Sequence, residues 1–344
     1  MAPYLCETCK KVFKQKSHFD KHKARKRPCK QMQDILPQVQ SLDSVVKPPL
    51  KWVGGKTQIL DEVLHHFPKE ITDYYEPFLG GGSILLAVLS LQKAKQISIS
   101  GKVYASDLNP NLIAFYKNLQ TNLSAVITEL KALQAEYSPL KKVSVNRKAS
   151  TLEEAKTSPE SYYFWIRSRF NAFKENERLT PQASAMFLFL NKTCFRGLYR
   201  EGPNGFNVPF GNYKHPSLFD EAHLKEVSEL IKDVLFERKS FTQALEKGKE
   251  GDFVYLDPPY APESETSFVS YTADGFSLET HKALFAVCKT LQQKNIKFVM
   301  SNADVKLVKD AFPGPTYTTK AIVCRRAINS KNPESKTNEV LIQN

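Results

Sequence analysis

The sequence has no run of about eighteen apolar residues, so no membrane-spanning helix is expected. It also has no basic stretch leading into an apolar one near its start, and therefore no secretory signal is expected. Cysteines are few: Cys6, Cys9 and Cys29 cluster early, while Cys194, Cys288 and Cys324 are scattered, which is not the spacing of a secreted disulfide framework. These shortages point to a soluble intracellular protein of the cytoplasm or nucleus. No GxxxxGK[ST] occurs, which excludes a phosphate-binding loop of that kind, and no GxGxxG occurs either. No internal repeat or low-complexity tract is present.

What is there belongs to a folded chain. Of 344 residues, 41% are hydrophobic and 11% aromatic, with Phe 22 and Tyr 14, and the length suits about two domains. The net charge of +13 is unevenly placed. Residues 1–30 hold ten Lys/Arg against Glu7 and Asp20, so eight of the thirteen net charges lie there. A basic patch of this density suits a polyanion, because displaced counterions favour binding whatever the base sequence.

The polar segment after Cys29, with Pro37, Pro48 and Pro49, reads as a linker into a main domain starting near residue 47. From there strands alternate with helices. Strands are expected at 74–78, 102–106, 253–256, 297–301 and 339–342, and helices from 84 and 112. Between about 120 and 245 the periodicity turns helical, with long polar loops. The expected class is α/β, a sheet domain with an inserted, mainly helical segment.

In the first thirty residues, Cys6 and Cys9 are two residues apart, twelve more lead to His22, and six more to Cys29. Two thiolates on a hairpin followed by two ligands on a helix suit a tetrahedral zinc site, and Phe13 and Phe19 stand where a small core is needed. The segment resembles a C2H2 finger with Cys in place of the last His. The resemblance implies a small ββα zinc finger over 1–30, a linker over 31–46 and a structural Zn2+ held by Cys6, Cys9, His22 and Cys29. Gln15, His18 and Lys21 would then face bases, with Lys16, Lys23, Arg25, Lys26 and Arg27 near phosphates.

Two glycine-rich elements follow: PLKWVGGK at 49–56, and YEPFLGGGS at 75–83, where a strand runs straight into glycines and then a helix. Missing β-carbons let the backbone approach a ligand, and an acid at the end of the next strand, Asp107, can accept from ribose hydroxyls. Taken alone, this fits any nucleoside-containing cofactor.

KWVGGK, EPFLGGGS, SDLN and DPPY, in that order, resemble the Dam-like adenine-N6 DNA methyltransferases over nearly all of 47–344. The resemblance implies a Rossmann-like methyltransferase sheet in two parts, 47–119 and 246–344, with a target-recognition domain at 120–245. It implies S-adenosyl-L-methionine as cofactor, with Trp52, Gly54, Gly55 and Lys56 against it. Glu76, Phe78, Gly80, Gly81 and Gly82 would lie on its methionine side, Asp107 at the ribose, and Asp257 near the reacting group.

Asp257, Pro258, Pro259 and Tyr260 end the expected strand at 253–256, the edge where α/β sheets collect ligands. The amino nitrogen of adenine is a poor nucleophile because its lone pair is delocalised. The Asp257 carboxylate and the Pro258 carbonyl can accept its hydrogens and free that pair, the prolines remove competing amide donors, and Tyr260 can stack on the base. A base buried in a duplex must first be flipped out.

The turn-rich segment 191–213 carries aromatics and basic groups suited to wedging and edge reading. It is similar to the segment with which Dam-like enzymes read GATC. On that similarity Arg200 reads a guanine, Phe195 wedges beside the vacated adenine, Leu198 and Pro209 meet a thymine methyl, and Lys51 contacts the outer guanine. Arg196 stands where the family pattern commonly has Asn, which bears on the target sequence. The expected partner is double-stranded DNA, bound by a monomer or a loose dimer. An inactive zinc-finger DNA-binding protein, and methylation of cytosine N4 or RNA, stay open as alternatives, as do restriction–modification and regulatory roles.

Overall fold

A computed structural model describes residues 4–6, 12–13, 15–24, 45–262, 276–325 and 336–344. The chain divides into two compact units, Met1–Ser44 and Val45–Asn344.

In the first unit, strands Tyr4–Leu5 and Val12–Phe13 pair antiparallel, and a helix spans Lys16–Lys23. Gln15, Lys16, His18, Lys21 and Lys23 are exposed, whereas Arg25, Lys26 and Arg27 lie outside the described residues. The expected zinc finger is corrected here. Cys6 and His22 are buried, Cys9 and Cys29 lie outside the described residues, and among the described residues no group of three His, Cys, Asp or Glu could hold a metal. A structural zinc needs four converging ligands, and two do not make one. Neither the ββα zinc finger nor Zn2+ is carried further.

The second unit is built on a seven-stranded sheet. Its strands are β1 (Tyr74–Glu76), β2 (Val103–Asp107), β3 (Val234–Arg238), β4 (Phe253–Leu256), β5 (Lys297–Ala303), β6 (Thr318–Arg325) and β7 (Lys336–Gln343). The spatial order is β3-β2-β1-β4-β5-β7-β6; β3 through β5 in that order are parallel, while β7 runs antiparallel between β5 and β6. Every residue of β1 and β4 is buried, as in a parallel strand covered on both faces, which accounts for the unbroken apolar FVYL run; β1 ends in a buried acid, Glu76. The order reverses between β1 and β4, so the turns that leave their carboxyl ends flank a crevice.

The helices follow local signals. After a short helix at Leu60–Leu64, α1 (Ser83–Lys93) leaves the glycine turn and is buried from Ile84 to Leu91. Asn109 caps α2 (Pro110–Thr121), its side chain accepting from the amides of Asn111 and Leu112, with proline in the first turn. Then come α3 (Leu123–Tyr137), α4 (Pro159–Ala172, capped by Ser158) and α5 (Pro181–Thr193, capped by Thr180). Residues 183–191 of α5 are buried throughout because α2, α3 and α4 all pack on it. An apolar run in this position reads as a helix core rather than a strand.

The expected helical segment runs to 245, whereas Val234–Arg238 forms β3 and pairs with β2. Its alternation of buried and exposed residues is that of an edge strand. Strand β6 was not expected either; among the described residues it pairs with β7 alone. Among the described residues no helix is long and apolar enough to cross a membrane.

Candidate active site

The two glycine-rich elements meet each other. A β-carbon on Gly81 would come within 2.7 Å of the Trp52 β-carbon, and one on Gly80 within 3.0 Å of the Trp52 ring. The loop is tied to the sheet by Asp107, whose carboxylate accepts from the Gly80 amide at 3.1 Å and the Asn109 amide at 2.9 Å. Tyr116 of α2 donates to the Gly81 carbonyl at 2.6 Å. At Gly82 the backbone is left-handed, φ 72°, and an added β-carbon would lie 2.6 Å from the Tyr116 hydroxyl. Gly82→Ala therefore combines backbone strain with a steric clash. It should cost about 1–3 kcal/mol, read as a fall of several degrees in Tm.

Lys56 is buried and ties several parts of the site together. Its ammonium bridges the Asp257 carboxylate at 2.7 Å and donates to the Gly54 carbonyl at 2.7 Å, while its amide donates to Ser83 Oγ at 3.2 Å. The first glycine-rich element thus reaches across the crevice to the turn after β4. Burial pushes the Asp257 carboxyl up, opposed by Lys56. The Lys56 ammonium also sits 5.0 Å above the Tyr260 ring, and the Tyr260 hydroxyl donates to Glu339 at 2.7 Å.

Glu76, on β1, is 2% exposed and takes a hydrogen bond from the Tyr74 hydroxyl at 2.7 Å. Burial pushes its carboxyl up to about 8. Asp107 is likewise raised by burial, with backbone amides working against it. Phe78 stacks on Phe241 with ring centroids 5.6 Å apart, and Trp52 stacks on Tyr199 at 5.6 Å. Buried carboxylates, aromatic faces and open space at Gly54 make a donor set that fits S-adenosylmethionine. A buried acid held near neutrality is a place for a cation, and aromatic faces suit an adenine ring.

A second cluster lies on the segment after α5. Asn191 clasps the Lys51 backbone at both ends, its Oδ1 accepting at 2.8 Å and its Nδ2 donating at 2.7 Å. Lys51 lies over the Tyr213 ring at 4.6 Å, and the Tyr213 hydroxyl accepts from the Arg196 amide at 2.9 Å. Gly197 has φ 65°, and its missing side chain makes room for Lys51, 2.4 Å from where a β-carbon would sit. Phe195 is 43% exposed, with the Arg196 guanidinium 5.3 Å from its ring centre. The Pro209 carbonyl accepts from the Phe195 amide at 2.8 Å. Arg200 is exposed, held by Asn207 at 2.6 Å, and Leu198 is half-buried.

The structure thus gathers Trp52, Gly54, Gly55, Lys56, Glu76, Phe78, Gly80–Gly82, Asp107 and Asp257–Tyr260 around one crevice. Lys51, Phe195, Arg196, Leu198 and Pro209 gather on the adjoining loop, with Arg200 just ahead of a short antiparallel pair, Glu201–Gly202 with Gly205–Phe206. The sequence reading missed Tyr116, Tyr199, Asn191, Tyr213 and Glu339. Each acts through a partner far away in sequence, and no local spacing marks it. The role expected for Lys56, a contact with cofactor, omitted its ion pair with Asp257.

Residues 52–326 match the D12 class N6 adenine-specific DNA methyltransferases. The type II methyltransferase M.MjaIII of Methanocaldococcus jannaschii is 37% identical over 309 residues, 87% of this chain and 99% of its own length. The type II methyltransferase M1.LlaDCHI of Lactococcus lactis subsp. cremoris is 30% identical, covering 87% of this chain and 95% of its own. The DNA adenine methylase of Haemophilus influenzae is 31% identical, covering 88% and 95%. The resemblance carried by the four motifs therefore stands for the catalytic unit, while none of the matched family residues falls in the first 51. The chain belongs to the D12 class N6 adenine-specific DNA methyltransferases, S-adenosylmethionine-dependent enzymes whose substrate is DNA.

Proposed function

We propose that the enzyme methylates the adenine of GATC in duplex DNA, flipping the base into the crevice between the β1 and β4 turns. The observation that carries this reading is the Lys56–Asp257 pair at 2.7 Å, which sets a carboxylate beside the glycine loop. When bound, the cofactor supplies a methyl group on a positively charged sulfur. Trp52, Gly54, Gly55, Phe78 and Gly80–Gly82 line its place, with Glu76 facing its cationic part and Asp107 its ribose.

Lys56 engages Asp257 Oδ1 and the Tyr260 hydroxyl donates to Glu339, so the other Asp257 oxygen would be the one to accept an N6 hydrogen of the target adenine. The Pro258 carbonyl accepts the other. Both bonds draw the nitrogen toward tetrahedral geometry and expose its lone pair, and Asp257 is placed to receive the proton that N6 loses. The charge of Lys56 favours the ionised carboxylate against the desolvation that opposes it. Tyr260 stacks on the flipped base, offsetting part of the unpairing cost of a few kcal/mol.

Residues 120–233, ahead of β3, serve as the target-recognition segment. Phe195 fills the gap beside the vacated adenine, Arg200 forks to a guanine, Leu198 and Pro209 meet a thymine methyl, and Lys51 meets the outer guanine. Arg196 occupies a left-handed backbone position, φ 56°, where Asn is favoured. The family's Asn suits that turn, and Arg196 keeps the turn through the Tyr213 hydrogen bond while directing a cation toward DNA. In the first unit, exposed Lys16, Lys21 and Lys23 give a basic surface, with Gln15 and His18 beside them as polar groups, that strengthens DNA binding. One copy of the chain suffices for each methyl transfer.

Labelled methyl transfer to duplexes with and without GATC, followed by nucleoside analysis, tests the reading. N6-methyladenine should appear on GATC duplexes and at least a hundredfold less on others, since each wrong base pair costs roughly 1–3 kcal/mol. Methylation of a different adenine sequence would overturn the roles given to 191–213.

A further inference from the structure

Strand β7 runs antiparallel to β5, and its register sets Val340 opposite Asn302 and Glu339 opposite Ala303. Both strands reach the turn that leaves β4. Asn302 Oδ1 accepts from the Ala261 amide at 3.0 Å, pinning the residue that follows Tyr260. Glu339 Oε2 accepts from the Tyr260 hydroxyl at 2.7 Å. The backbone of the turn and the tip of its tyrosine are therefore anchored separately, to adjacent strands.

A tyrosine hydroxyl has one proton to donate. Two carboxylates, Asp257 and Glu339, press on this one, with Lys56 above the ring and bridged to Asp257. Donation to Asp257 would occupy the oxygen that the target amine requires. The hydroxyl is within reach of both carboxylates, and donation to Glu339 at 2.7 Å turns its proton away from Asp257 and fixes the ring at its far end, with the turn at its near end. Glu339 lies 79 residues from Tyr260 in sequence, outside every motif singled out above.

We infer that Glu339 is a positioning residue for methyl transfer: by accepting the hydrogen bond of the Tyr260 hydroxyl it sets the plane of the ring and keeps Asp257 available to the target amine. This rests on the reading in which Tyr260 stacks on the flipped base. Glu339 touches neither base nor cofactor, so its effect should fall on turnover rather than on DNA binding.

The test measures kcat, KM for DNA and Tm for Glu339→Ala, Glu339→Gln, Tyr260→Phe, Tyr260→Ala and the double variant Glu339→Ala/Tyr260→Phe. Glu339→Ala should lower kcat roughly ten- to a hundredfold, the range of a hydrogen bond to a charged group, with KM within about threefold. Glu339→Gln keeps an acceptor and should stay within about threefold of the parent in kcat. Tyr260→Phe should match Glu339→Ala, and the double variant should be no worse than either, since both remove one bond. Additive losses in the double variant, or a Gln variant as impaired as Ala, would overturn the inference. If Tyr260→Ala is badly impaired while Glu339→Ala is not, the inference fails and the stacking reading stands. If Tyr260→Ala keeps full kcat, the stacking reading itself falls, and the inference with it.

Discussion

Asp257→Asn should lower the rate of methyl transfer about a thousandfold, with cofactor affinity changed by less than about fivefold. The substitution keeps the shape of the side chain and one acceptor, but removes the charge that receives the N6 proton and orders the lone pair. General-base and electrostatic roles of this kind are each worth roughly a hundred- to a thousandfold. A complication follows from the geometry, because Lys56 is 4% exposed and bonded to Asp257 at 2.7 Å. Losing its partner leaves a buried cation, at a cost of about 3–5 kcal/mol. Lys56→Met combined with Asp257→Asn removes both charges, and should recover most of the lost Tm while remaining inactive. Single-turnover transfer of labelled methyl separates the two effects. A correctly folded Asp257→Asn protein retaining a tenth of the parent rate would show that the carboxylate is not the acceptor.

Glu76→Gln should make the cofactor-free protein more stable and at the same time weaken its hold on cofactor about ten- to a hundredfold. Burial holds the Glu76 carboxyl at about 8 in the fold, against an ordinary value of 4.5. The folded state therefore keeps a proton that the unfolded state has released, and the group costs stability increasingly as pH rises from 4.5 to about 8. At pH 7 that cost is on the order of 3 kcal/mol. Glutamine, neutral at every pH, avoids it. The Tm gap between variant and parent should be widest near pH 8 and close below pH 4.5. A variant no more stable than the parent at pH 8 would mean that Glu76 is already ionised and compensated in the free protein. Retention of such a costly acid follows if a bound cation supplies the compensation, an instance of stability given up for function.

Much of the site was legible because its chemistry is local. EPFLGGGS, SDLN and DPPY each place a glycine turn or an acid at the end of a short, largely buried strand, and KWVGGK adds a second glycine turn. Four such motifs in order pointed to the family before any contact was known. The turn-rich character of 191–213 was legible for a different reason, its density of Gly, Asn, aromatic and basic residues. Legibility failed where identity depended on an absent neighbour. Val234–Arg238 looked like a continuation of a helical segment, and became a strand because β2 offered an open edge. The zinc reading rested on spacing alone, and spacing cannot show that ligands converge.

The order of the sheet was equally outside local reach. Nothing in DPPY shows that it lies beside the glycine loop, 177 residues earlier counting from Asp257 to Gly80; the parallel pairing of β1 with β4 brings them together. By itself the sequence determined the class of fold, the turns and the chemical groups on offer, since these follow from periodicity, glycine and side-chain type over a few residues. The tertiary structure decided which groups share a proton, a charge or a ring face: Lys56 with Asp257, Tyr260 with Glu339, Lys51 with Tyr213. Such pairings act over a few ångströms, and only a folded chain brings residues tens or hundreds of positions apart to within that distance.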